Sequence, residues 1–170
     1  IRASAISSAL DENRFVLYSQ PIVSLLDGDG IVHYEFLLRM LDREGNIILP
    51  AAFIPAAERY GLMNAVDRWV IHAAFHCYLD LLGASAAVEI SINLSGNSLN
   101  DESLLDYVRQ QFVSSNMPPE RVCFEVTETA AIHNFSQVQR FINEMKAEGC
   151  RFALDDFGNG LRSEERRVGK

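Results

Sequence analysis

Residues 88 to 156 alternate in a strict strand, helix, strand, helix, strand pattern. V-E-I-S-I-N-L-S (88 to 95), V-C-F-E-V-T-E (122 to 128) and R-F-A-L-D-D (151 to 156) read as strands. Between them, Leu104, Leu105, Val108 and Phe112 recur at helical spacing after Asn100, which the sequence presents as an N-cap. Val138, Phe141, Ile142 and Met145 mark a second helix, closed by Gly149. Successive strand starts lie about 30 residues apart, the length of one βα unit. Parallel strands need such crossovers, so the pattern predicts an α/β fold, either a barrel or a doubly wound sheet with helices outside. Ligands in these folds sit at the carboxyl ends of the strands.

The first half reads differently. F-V-L-Y-S-Q-P-I (15 to 22) and I-V-H-Y-E-F-L-L-R (31 to 39) are strands around the turn chemistry of L-L-D-G-D-G (25 to 30), which predicts a hairpin. A short helix follows Pro50 and ends near Gly61. A longer one spans 64 to 82, with Val66, Trp69, Val70, Ala73 and Cys77 on one side and Gly83 as its stop. Trp69, among apolar neighbours, reads as core. Five strands are expected in all.

Alternate side chains of a strand point to opposite faces. Val32, Tyr34, Phe36 and Leu38 share one face with His33, Glu35, Leu37 and Arg39 opposite. Val88, Ile90, Ile92 and Leu94 oppose Glu89, Ser91 and Asn93. Val122, Phe124 and Val126 oppose Cys123, Glu125 and Thr127, and Phe152 and Leu154 oppose Ala153 and Asp155. With helices on the apolar face, the other face gathers Gln20, Glu35, Asn93, Glu125 and Asp155, with Asp156 and Glu128 beside them. One carboxylate at a strand end is often a helix cap or a surface ion pair. So many together would be costly to bury unless a cation joined them. Oxygen donors of Asp, Glu and Asn type suit Mg2+, Mn2+ or Ca2+ rather than zinc. The adjacent Asp155 and Asp156 could serve two ions, an arrangement used in phosphodiester hydrolysis.

A net charge of −8 argues against a nucleic-acid duplex as partner, which needs a basic face. An anionic substrate would need a metal or a local Arg. Cys77, Cys123 and Cys150 are widely spaced and odd in number, as in a reducing compartment. No apolar run approaches a membrane span, so no membrane contact is expected of this segment. The opening Ile1-Arg2, without Met, suggests a piece of a longer chain. His72 and His76 stand four apart on one helix without an evident third ligand and read as ordinary helix-face histidines. Gly158 and Gly160 are too little for a phosphate loop and read as a close backbone turn past the aspartates.

Taken in order, Y-S-Q-P-I, E-F-L-L-R, F-I-P-A-A-E-R-Y-G-L, N-L-S, F-E-V-T-E-T and A-L-D-D-F-G-N-G-L resemble the motifs of the EAL domain family. The resemblance runs from about residue 9 to 161. It implies a TIM-barrel-like fold with an antiparallel first strand, of which about five strands are present. It also implies hydrolysis of the bacterial second messenger cyclic di-GMP to linear pGpG in the cytoplasm. By position, Glu35, Asn93, Glu125, Asp155 and Asp156 would be metal ligands, with Glu35, Asp155, Asp156 and Glu128 in the catalytic set and Glu128 supporting the metal-site loop. Gln20, Leu37 and Arg39 would contact substrate. Mg2+ or Mn2+ would support turnover and Ca2+ would inhibit. Phe36 replaces the middle Ala of the family signature, on the outer face.

The resemblance also implies partners: a GGDEF or sensor domain upstream, for which residues 1–8 would be the end of a linker helix, and a homodimer. Residues 162–170, with four basic and two acidic side chains, depart from the family pattern and read as a foreign tail. The family's later Lys, Glu and Gln have no counterpart here, so residues 1–170 alone are expected to turn over little or nothing. The alternative is a degenerate EAL module that binds cyclic di-GMP as a receptor without cutting it.

Overall fold

The computed structural model describes residues 1–22, 31–82, 88–127 and 135–155. Helix α1 (Ala3–Asp11) leads into the hairpin strands β1 (Phe15–Ile22) and β2 (Val32–Leu41), and a two-residue strand β3 (Ile47–Ile48) folds back on β2. Then come α2 (Pro50–Arg59), α3 (Met63–Leu82), β4 (Val88–Leu94), α4 (Gly96–Leu99) and α5 (Ser103–Ser115). A single 3-10 turn (Pro119–Arg121) precedes β5 (Val122–Thr127), α6 (Phe135–Ala147) and β6 (Arg151–Asp155).

The sheet order is β1-β2-β4-β5-β6. β1 runs antiparallel to β2, whereas β2, β4, β5 and β6 are mutually parallel. The hairpin and the parallel crossovers read from the sequence are therefore present. The short β3 is an addition: its two residues carried too little periodicity to stand out. The turn at 25–30, Glu128, Asp156, Gly158, Gly160 and the tail from 162 lie outside the described residues.

One face of the sheet is sealed by helices. Val88, Ile90, Ile92, Leu94, Val122, Phe124 and Val126 are all 3% exposed or less and pack against α3, α5 and α6. Burying each such side chain contributes about 1.5–3 kcal/mol. Phe124 meets Phe141 edge-on at 5.9 Å, and Phe75 of α3 stacks on Phe112 of α5 at 4.7 Å. A second cluster joins Ile6, Phe15, Met40, Phe53, Met63 and Val66. Leu38 and Trp69 pack against both clusters.

Pro50 opens α2 at a position where its missing N–H is unneeded, and Gly61 follows the helix at φ +69°. Gly149 ends α6 at φ +109°, letting the Cys150 N–H bond back to the Met145 carbonyl at 3.0 Å. The cap of α5 corrects the sequence reading. Asn100 flanks α4 instead, and Asp101 serves α5: its Oδ1 accepts from the Ser103 N–H at 2.9 Å and from the Ser103 hydroxyl. Asn100 has the right chemistry but stands one residue too early. The intervening α4 is too short to show in the apolar pattern.

The starts of the parallel strands carry charge on the face away from the helices. Glu89 is only 7% exposed. Its carboxylate pairs with His33 Nδ1 at 2.9 Å, with Arg121 at 3.7 Å and with Arg151. Above this floor the same face carries the small side chains Ser91, Cys123 and Ala153.

Candidate functional site

The strand register positions the donors expected from the sequence. Gln20 of β1 lies opposite Glu35 of β2, and Glu35 opposite Ser91 of β4. Asn93 is one pleat further along β4, and its Nδ2 donates to Glu35 Oε1 at 3.3 Å. Asn93 in turn is level with Glu125 of β5, and Glu125 with Ala153 of β6. Asp155 is level with Thr127. The donor row thus climbs by two residues from β2 to β4 and stays level from β1 to β2 and from β4 to β5, part of the stagger that inclined strands impose in barrels. Glu35 is the fourth of ten residues in β2 rather than near its end, because β2 runs on to Leu41. Its register partner Ser91 is likewise the fourth of seven residues in β4, one pleat short of Asn93.

Among the described residues the structure therefore gathers Glu35, Asn93 and Glu125 from three adjacent strands. Glu35 and Glu125 are half-buried and Asn93 is exposed. No three His, Cys, Asp or Glu side chains among the described residues form a cation site, since the third described donor is the amide of Asn93. Asp156 and Glu128 lie outside the described residues.

Leu37 and Arg39 follow Glu35 on the same face of β2. The Arg39 guanidinium lies 5.6 Å from the ring centroid of Tyr18 and donates to the Leu38 carbonyl at 2.8 Å. Both residues line a cleft of about 320 Å3 that also includes Asn93, Glu58, Asp67 and Ser95. Gln20 is exposed beside this row.

Asp67 was not singled out in the sequence. It is 3% exposed on α3, and its Oδ2 accepts from the Ser95 N–H at 2.9 Å and from the Ser95 hydroxyl at 2.6 Å. Burial pushes its carboxyl group above the usual range, against the lowering effect of the Ser95 bonds. The signal was a lone carboxylate among Val66, Trp69 and Val70. The His72 and His76 pair is occupied locally: His72 Nδ1 meets Gln111 Oε1 at 2.9 Å, and His76 Nδ1 meets the His72 carbonyl at 2.8 Å. None of the three cysteines is in a disulfide, and burial pushes Cys150 up to about 12.

Comparison with known proteins gives this geometry a family. The chain is 42% identical over 162 residues to the cyclic di-GMP phosphodiesterase PdeB of Shewanella oneidensis, covering 95% of this chain and 19% of PdeB. It therefore spans about a fifth of the length of that curated relative. Among solved structures, the FimX EAL domain of Pseudomonas aeruginosa bound to c-di-GMP superposes with a TM-score of 0.80 at 32% identity. That match covers 89% of this chain and 60% of the FimX chain. The c-di-GMP complex of the phosphodiesterase PaMucR gives a TM-score of 0.82 at 29% identity, covering 94% and 65%. No described helix is long and apolar enough to cross a membrane. The EAL domain model matches residues 3–166, nearly the whole chain, which belongs to the EAL domain family.

Proposed function

We propose that this segment belongs to a divalent-cation-dependent phosphodiesterase domain that binds cyclic di-GMP and hydrolyses one of its phosphodiester bonds to give linear pGpG, with residues 1–170 alone turning over little or nothing. The observation that carries the reading is the row of Glu35, Asn93 and Glu125 on one open face, with Asn93 bonded to Glu35 and level with Glu125. This row is all oxygen once the Asn93 amide turns its carbonyl outward, which fits Mg2+ or Mn2+. Glu35, Asn93 and Glu125 would hold the ion, with Asp155 and Asp156 completing the set and Glu128 supporting the loop beside it. When bound, such ions polarise a phosphoryl oxygen and make water a stronger nucleophile at neutral pH.

The other residues bind and orient. Arg39 offers a fork of N–H donors to a phosphate oxygen or a guanine edge, and its stacking on Tyr18 limits the freedom of that fork. Gln20 presents an amide beside Glu35, and Leu37 supplies apolar surface in the cleft. The same reading puts the segment in the bacterial cytoplasm, behind a GGDEF or sensor domain. Support for that partner comes from MucR, a bifunctional diguanylate cyclase/cyclic di-GMP phosphodiesterase 30% identical over 161 residues.

Calorimetric titration with cyclic di-GMP in Ca2+, paired with chromatography of the product in Mn2+, on this segment within its longer parent chain tests the reading. The expected result is binding that weakens at least about tenfold in Arg39→Ala, and pGpG formation that EDTA and Glu35→Gln abolish. Binding indifferent to Arg39→Ala would refute the assigned contact. Tight binding without product in Mn2+ would mark a receptor instead.

A further inference from the structure

The apolar face of this sheet leaves one question of assembly open. Val88, Ile90, Ile92 and Leu94 face the helices together with Val122, Phe124 and Val126. A one-residue slip between two strands would turn apolar side chains outward and is strongly excluded. A two-residue slip would not, because every second position on this face is apolar. Nor does a tight turn fix the register, since β2, β4, β5 and β6 are parallel and joined by long crossovers. Yet such a slip would carry Glu125 about 6.6 Å past Asn93. The donor row would be lost while the core stayed apolar.

We infer that Glu89 is the positioning residue that excludes this slip, holding the registers of β2, β4, β5 and β6 through their charged starts. The inference rests on the reading of Glu35, Asn93 and Glu125 as cation donors. Glu89 is buried, and it pairs with His33 at the start of β2, Arg121 at the entry to β5 and Arg151 at the start of β6. A buried carboxylate needs its arginines and its hydrogen-bonding partners, and a slip of two residues withdraws them. His33 lies opposite Glu89 in the register itself. The floor and the donors share one face: Glu35 follows His33 by one pleat, and Asn93 and Glu125 follow Glu89 and Arg121 by two. Fixing the register below therefore fixes the level of the donors above. Specifying register is the best-attested use of buried charge.

The test uses the 170-residue chain and reads Mn2+ affinity by electron paramagnetic resonance, amide hydrogen exchange over 88–94 and 122–127, and thermal unfolding. Glu89→Gln keeps the shape and removes the charge. It is expected to weaken Mn2+ binding about tenfold or more at temperatures where near-UV circular dichroism remains native, with faster exchange in both strands. Arg151→Gln, which removes one partner, should move both readouts the same way by less. Glu125→Gln should weaken Mn2+ binding without changing exchange, which separates a lost donor from a lost register. A Glu89→Gln chain that melts earlier but binds Mn2+ and exchanges like the parent would overturn the inference. Should Glu89→Gln not fold, unchanged affinity and exchange in Arg151→Gln overturn it equally. If the parent chain binds no Mn2+, the donor reading fails, and unchanged exchange in Glu89→Gln still overturns the register role.

Discussion

Asp67 shows at the scale of one side chain how burial turns into pH dependence. Its carboxyl group titrates above the usual range because burial disfavours the charged form, although Ser95 donates two bonds to it. A raised carboxyl pKa means that the folded chain holds a proton the unfolded chain releases near pH 4. The stability this contributes is full below the unfolded value and is lost as pH rises through the folded one. Asp67→Asn, which stays neutral and can still accept from Ser95, should flatten the decline above pH 4. Urea unfolding at a series of pH values would read this as a shallower loss of stability above pH 4 in the variant. Parallel curves for the two chains would show that Asp67 ionises normally. Little in the sequence warned of this site, because its partner Ser95 belongs to another element. Glu35, Asn93 and Glu125 were legible, since strand alternation alone assigns a face.

At the scale of elements, α5 depends on Asp101 rather than on Asn100. Asp101 Oδ1 accepts from Ser103, and its Oδ2 accepts from Arg68 of α3 at 3.0 Å, so one carboxylate both caps a helix and ties it to its neighbour. The Arg68 guanidinium also lies 4.8 Å from the ring centroid of Tyr107. Asp101→Ala should therefore cost about 1–2 kcal/mol of stability, and Asn100→Ala distinctly less, as read by denaturant melts. Equal losses would return the cap to Asn100. Strand and helix order was readable because periodicity is local. The cap was not, because α4 adds a turn between the last strand residue and α5 that no apolar spacing announces. The charged floor escaped for a related reason: alternation assigns His33 and Glu89 a face, but only the register of four strands makes them neighbours of Arg121 and Arg151.

At the scale of the whole molecule, protection should be graded across the sheet. β4 and β5 are paired on both sides and sealed by three helices, whereas β1 and β6 end the described strand order. Hydrogen exchange should be slowest in Ile90, Ile92, Phe124 and Val126, and faster by a factor of about ten or more in β1 and α1. Uniform exchange would mean that the molecule opens only as one unit. The α/β class and the antiparallel first strand were legible from the order of elements and from the family motifs, whereas the division of the core into two clusters was not. That division has a consequence for the cleft. Leu38 and Trp69 form the seam between the clusters, and the Leu38 carbonyl is the one that Arg39 grips. On the contact proposed for Arg39, a ligand in the cleft would bear on Leu38, a residue that joins the N-terminal layer to the rest of the molecule.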